Sequence, residues 1–177
     1  MTTIKAGHEP GIGQSTANYF RHGVSLMTSL TQPLHDHHKH CDDLFAAAEE
    51  AAQVKKWPEC EDLFRRFQGE LEAHFATEEQ VLFPAFEAAT GMAGGPSQVM
   101  RFEHAQMRDL MAQMAQAVAR RDGGEFGGSA DTLLVLMQQH NMKEENILYP
   151  MCERTLADQG LPLSAGLQER VEAACPL

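Results

Sequence analysis

The chain has 177 residues, 43% of them hydrophobic, with a formal net charge of −11 and a pI near 5.2. That length and composition suit one domain with a real core and exclude an intrinsically disordered chain. The acidic balance carries no basic block beyond the pairs Lys55-Lys56 and Arg120-Arg121, which argues against nucleic acid and anionic membrane surfaces as partners. No apolar window approaches the ~20 residues that span a bilayer. The N-terminal stretch MTTIKAGHEPGIGQS lacks the apolar core of a signal peptide. A cytoplasmic, reducing location is the expectation. Cys41, Cys60, Cys152 and Cys175 agree with it, being far apart and without a CxxC pair.

Residues 1–30, with Gly7, Gly11 and Gly13, read as an N-terminal arm ending in an apolar patch around Tyr19-Phe20. Four long helical segments follow over residues 31–158. The first starts near Thr31, with Pro33 suited to an opening turn, and runs to about Val54. The second starts at Pro58 and runs into the 80s. Gly91, Gly94 and Gly95 break the chain, and Pro96 opens a third segment that lasts to about Arg121. The glycine run Gly123-Gly124 and Gly127-Gly128 reads as a second break, with Ser129 as N-cap of a fourth segment ending near Asp158. The tail, residues 159–177, has room for one short helix. No stretch shows strand-like alternation.

Each segment carries one apolar stripe at helical spacing. The stripes run Leu34, Cys41, Phe45, Ala48; Leu63, Phe67, Leu71, Phe75, Leu82; Met100, Met107, Met111, Met114, Val118; and Leu133, Met137, Ile147, Leu148, Met151. Four amphipathic helices with short connections specify an all-α, antiparallel up-down-up-down four-helix bundle. The methionine stripe of the third reads as adaptable core packing rather than a copper site.

Segments two and four repeat a pattern. His74-Phe-Ala-Thr-Glu78-Glu-Gln-Val-Leu-Phe-Pro84 matches His140-Asn-Met-Lys-Glu144-Glu-Asn-Ile-Leu-Tyr-Pro150 at a constant offset of 66. The same offset pairs His38 with His104, so each helical hairpin supplies one histidine and one HxxxE pair. Residues four apart share a helix face, and His74, Glu78, His140 and Glu144 fall on the apolar stripes, as do His38 and His104. Burying two carboxylates without cations costs several kcal/mol each. Two divalent metals remove that cost. Nitrogen and oxygen donors without thiolate suit iron, manganese or zinc, and a mixed His/carboxylate set with open positions suits oxygen-reactive iron.

These elements, HxxxE…LFP and HxxxEE…LYP with their preceding single histidines, resemble the hemerythrin-type HHE cation-binding domain over roughly residues 31–155. The resemblance implies a hemerythrin-like bundle around a non-haem di-iron site held by His38, His74, Glu78, His104, His140 and Glu144, with positions left for an oxo, hydroxo or external ligand. It implies a protein that binds, senses or responds to dioxygen, nitric oxide or peroxide, or that handles iron, more a metal- and oxygen-binding protein than a turnover enzyme. Two departures stand out. Oxygen-carrying hemerythrins place HxxxH on the third helix, where this chain has Arg108 four residues after His104. Their fourth helix puts a carboxylate five residues after its histidine, which selects Glu145, whereas the internal repeat selects Glu144. The resulting four-His, two-Glu set is similar to that of the iron–sulfur cluster repair di-iron proteins, so a di-iron enzyme for cluster repair or for peroxide or nitric oxide reduction is the alternative. The cysteine pair of those repair proteins does not occur in the 177 residues.

His35, His37, His38 and His40 crowd one turn. His38 rests on the repeat, with His37 next, and the others read as solvated groups or partners of metal-bound imidazoles. Glu79 and Glu145 read as surface carboxylates. Pro84 and Pro150 read as bending or ending their helices. The Glu-x-x-His spacing of ferritin-like bundles is not repeated, and an HExxH zinc motif is missing.

Overall fold

The structure is a computed structural model and describes residues 29–173. Among the described residues it is all-helical, with no strand. The expected N-terminal arm, with Tyr19 and Phe20, lies outside the described residues, as does Cys175.

Five helices follow in order. Helix α1 is Gln32–Gln53. Helix α2 (57–90) is α-helical over Trp57–Thr77, widens into a π turn at Glu78–Leu82, and resumes as Phe83–Thr90. Helix α3 is Pro96–Arg120. Helix α4 (123–155) repeats the design of α2: Gly123–Lys143, a π turn at Glu144–Leu148, then Tyr149–Thr155. A short 3₁₀ turn, Ala157–Gln159, leads into α5, Gly160–Glu172. Helix α1 packs on α2 and α3 on α4; α2 meets α3 and α1 meets α4, which closes the four-helix bundle, and α5 lies across α1 and α2.

The connections are tight because the caps are. Lys55 (φ 59°) and Arg121 (φ 54°) turn the chain left-handed after α1 and α3, and Gly91 (φ 72°) does so after α2, where a glycine carries no Cβ penalty. The start of α4 corrects the sequence expectation. Asp122, not Ser129, is the N-cap: its Oδ1 accepts from the backbone N–H of Gly124 (3.1 Å) and Glu125 (3.0 Å). The four glycines therefore lie inside the helix. Burial of Phe126, and the indole of Trp57 against Gly123, outweigh the poor helix propensity of glycine.

The two π turns explain two further corrections. Phe83 N–H bonds Glu78 O and Tyr149 N–H bonds Glu144 O, five residues back in each case. The helices widen just before Pro84 and Pro150 and continue past them to Thr90 and Thr155, so neither proline ends its helix. The widening also shifts the inward face by about one residue. Leu148 is buried, whereas Ile147, expected on the inward stripe, is 55% exposed.

Two apolar clusters fill the bundle. One packs Phe45, Phe64, Phe67, Phe75, Met107, Met111, Met114, Phe126 and Leu133 toward one end. The other packs Leu34, Leu82, Phe83, Phe86, Leu148 and Tyr149 with Leu167 and Val171 of α5. The buried polar residues His38, His74, Glu78, His104, His140 and Glu144 lie between them.

Candidate metal centre

All six side chains singled out by the repeat meet in the bundle interior, none more than 5% exposed. Each helix of the bundle contributes: α1 brings His38, α2 His74 and Glu78, α3 His104, α4 His140 and Glu144. His104 Nε2 lies 3.1 Å from His140 Nε2 and 3.3 Å from Glu78 Oε2. His140 Nε2 lies 3.2 Å from Glu144 Oε1, His38 Nε2 lies 3.2 Å from Glu144 Oε2, and His74 Nε2 lies 3.5 Å from Glu78 Oε2. Two groups result, Glu78–His104–His140–Glu144 and His38–His74–Glu144, each with its donor atoms within 4.8 Å of one another. Glu144 belongs to both.

The histidines are held from outside by partners that fix which nitrogen faces inward. His38 Nδ1–H donates to Glu145 Oε1 (2.8 Å), His104 Nδ1–H to Glu79 Oε1 (2.8 Å), and His140 Nδ1–H to Glu103 Oε2 (3.0 Å). A carboxylate only accepts, so each Nδ1 carries the hydrogen and each Nε2 lone pair points into the cluster. His74 differs: its Nδ1 faces His37 Nδ1 (3.3 Å), and His37 Nε2–H donates to Glu70 Oε2 (3.1 Å). Arg108 clamps Glu79 at 2.9 Å and bonds Glu72, and Lys143 bonds Glu103. Phe75 stacks on His104 with centroids 3.9 Å apart.

The donors fit cations. His74 Nε2, Glu78 Oε2 and Glu144 Oε1 are buried without a hydrogen-bond partner among the described residues, and all three face one another's group. An orphaned buried lone pair is costly, and a metal ion is the partner that satisfies several at once. The profile of the hemerythrin HHE cation binding domain matches residues 29–152, well over half of the chain.

The chain belongs to the hemerythrin HHE family.

Among curated proteins and among solved structures, none matches the chain. Its hemerythrin-type interior holds two adjacent His/Glu groups, as a pair of metal ions would require. Of the alternatives left open by the sequence, the structure brings Glu144 into the cluster and leaves Glu145 outside it, on the far side of His38. His38 faces inward, and His37 stands behind His74. Glu79 and Glu145 are not simple surface carboxylates: both are partly buried and hold ring nitrogens. Their own 66-residue spacing was the available signal. His35 is exposed beside Glu145 (3.5 Å). Arg108, at the position of the missing histidine, points to Glu72 and Glu79.

Without cations the hemerythrin-type cluster holds protons instead. Burial pulls His38 down, yet the carboxylates of Glu144, Glu145 and Glu78 lift it to about 10. His104 is likewise lifted to about 9 by Glu78 and Glu79 against its burial. His74, wholly buried and crowded by His38, is driven well below the usual imidazole range. Burial raises Glu79 less than His104 and Arg108 lower it, to about 2. Burial and the carboxylate of Glu144 raise Glu78. Among the described residues, no helix is long and apolar enough to cross a membrane.

Proposed function

We propose that this hemerythrin HHE chain is a non-haem di-iron protein that binds, senses or responds to dioxygen, nitric oxide or peroxide, or handles iron. One observation carries the reading: four imidazole nitrogens and the carboxylates of Glu78 and Glu144 converge in an interior where three of those atoms have no other partner. His38 and His74 would hold one ion, His104 and His140 the other, with Glu144 reaching both. Iron is favoured over zinc or manganese because a mixed His/carboxylate set that leaves coordination positions open suits oxygen-reactive iron. Bound iron supplies Lewis acidity and reversible electron transfer. Everything else is done by the chain. The outer carboxylates hold the rings, the two apolar clusters keep bulk water away, and burial of all six donors restricts access to small ligands. We place the protein in a reducing, cytoplasmic setting, consistent with free, buried Cys41, Cys60 and Cys152, with neither nucleic acid nor membrane as partner.

The decisive experiment is optical. Anaerobic ferrous protein, with its iron counted, is exposed to air and, separately, to nitric oxide. Two irons per chain and a distinct spectrum with each gas support the reading; fewer than one iron per chain and no spectral response overturn it. A second reading, an enzyme of cluster repair or of peroxide or nitric oxide reduction, is favoured by the four-His, two-Glu composition of the cluster. Multiple turnovers with one of those substrates would select it.

A further inference from the structure

Tyr149 stands 66 positions after Phe83, as His104 does after His38. The Tyr149 ring stacks on His38 with centroids 5.8 Å apart and planes 12° from parallel; Phe83 stacks on His104 at 5.9 Å and 19°. Both rings are buried. The two halves of the bundle therefore use equivalent rings, and at this place they differ by one hydroxyl.

That hydroxyl points into the cluster. It lies 2.7 Å from Glu78 Oε1, 3.2 Å from Glu144 Oε2 and 3.4 Å from His38 Nε2. A phenol has one proton to donate, and the 2.7 Å contact takes it. Glu78 is left with one unpartnered oxygen, Oε2, which faces His74 Nε2 and His104 Nε2 at 3.5 and 3.3 Å. Glu144 receives no hydroxyl from Phe83. It turns Oε1 to His140 Nε2 and Oε2 to His38 Nε2, both at 3.2 Å.

We propose that Tyr149 is a positioning residue that makes the two carboxylates unequal: its O–H takes one lone pair of Glu78 Oε1 and holds that oxygen toward the ring, so Glu78 turns chiefly Oε2 to cations while Glu144 turns both oxygens. The place that Glu78 Oε1 would otherwise take on the His38 side stays free for a small exogenous anion. Nothing in the HxxxE pattern marks this residue; the Tyr/Phe difference within the repeat does. The inference rests on the two-iron reading above.

The test uses azide as probe on the full chain loaded with ferric iron. The wild type binds azide with an optical change. Tyr149→Phe, which copies the residue at position 83, keeps two irons per chain but binds azide about tenfold more weakly or worse, because the released Glu78 oxygen competes for the place. Phe83→Tyr, the mirror variant, brings a hydroxyl toward Glu144 and lowers iron affinity about tenfold; it decides the matter if Tyr149→Phe does not fold. Unchanged azide affinity in Tyr149→Phe, or unchanged iron affinity in Phe83→Tyr, overturns the proposal. So does a two-iron wild type that ignores azide, or a phenolate-to-iron absorption band that vanishes in Tyr149→Phe, since the oxygen would then be a ligand. A wild type holding fewer than two irons fails at the earlier step and overturns the two-iron reading itself.

Discussion

His104 Nε2 and His140 Nε2 face each other at 3.1 Å in the centre of the bundle. With Glu79 and Glu103 holding the hydrogens on their Nδ1 atoms, two lone pairs meet there. Something positive must lie close by. Burial opposes a charge on His104, but Glu78 and Glu79 lift it to about 9, so a proton on His104 supplies it, and a cation held at the proposed centre would displace that proton.

Metal affinity is therefore expected to rise with pH. His38 and His104 titrate at about 10 and about 9 in the metal-free fold, so below pH 9 each ion competes with a proton. Apparent affinity should climb about tenfold per pH unit for each ion between pH 7 and 9. Metal-free stability runs the other way. Both pKa values are raised above the ordinary 6.5, so their contribution is complete below pH 6.5 and is lost as pH rises through 9 to 10. Melting curves from pH 7 to 10 should show a falling Tm for chelated protein and no parallel fall for loaded protein.

Chelation at constant pH should itself lower Tm. A cation at a thousand times its Kd adds about 4 kcal/mol to stability, which for a domain of this size corresponds to about 10 °C. Calorimetry with and without chelator measures the difference; a wild-type-like Tm after complete metal removal would make the polar interior a structural relic.

Glu79→Gln should weaken metal binding about tenfold while leaving the helical content intact. The substitution removes the charge that holds His104 Nδ1–H at 2.8 Å and that Arg108 clamps. Competition with a chromophoric chelator reads the affinity, and circular dichroism reads the fold.

Asp122→Ala should cost about 1 kcal/mol through loss of the α4 cap, a Tm decrease of about 3 °C. Ser129→Ala should leave Tm unchanged or slightly raised, since Ser129 lies within the helix and alanine is the better helix former. Thermal denaturation of the two variants side by side distinguishes the caps.

The inner cluster was legible because two independent regularities coincide on it. The i, i+4 spacing puts His74 with Glu78 and His140 with Glu144, and the 66-residue offset finds His38 and His104. The bundle was legible from its apolar stripes. The partners behind the ring nitrogens were less so: His37 and Glu103 also stand 66 apart but differ in residue type, and they and Glu70 are recruited from neighbouring helices by packing, which periodicity along one helix does not report. Glu145 stands in the sequence as the alternative ligand because the known oxygen carriers use that spacing; the π turn at Glu144–Leu148 has no residue signature of its own. The glycine run before Ser129 reads as a break for a related reason: the Asp122 cap and the burial of Phe126 hold those glycines in a helix that their intrinsic preference opposes.

The most direct test is a crystal structure of iron-loaded protein with anomalous data collected at the iron edge. Two anomalous peaks should appear, one beside His38 and His74 and the other beside His104 and His140, with Glu144 reaching both. A single weak peak elsewhere, or those side chains turned to solvent around none, would contradict the account.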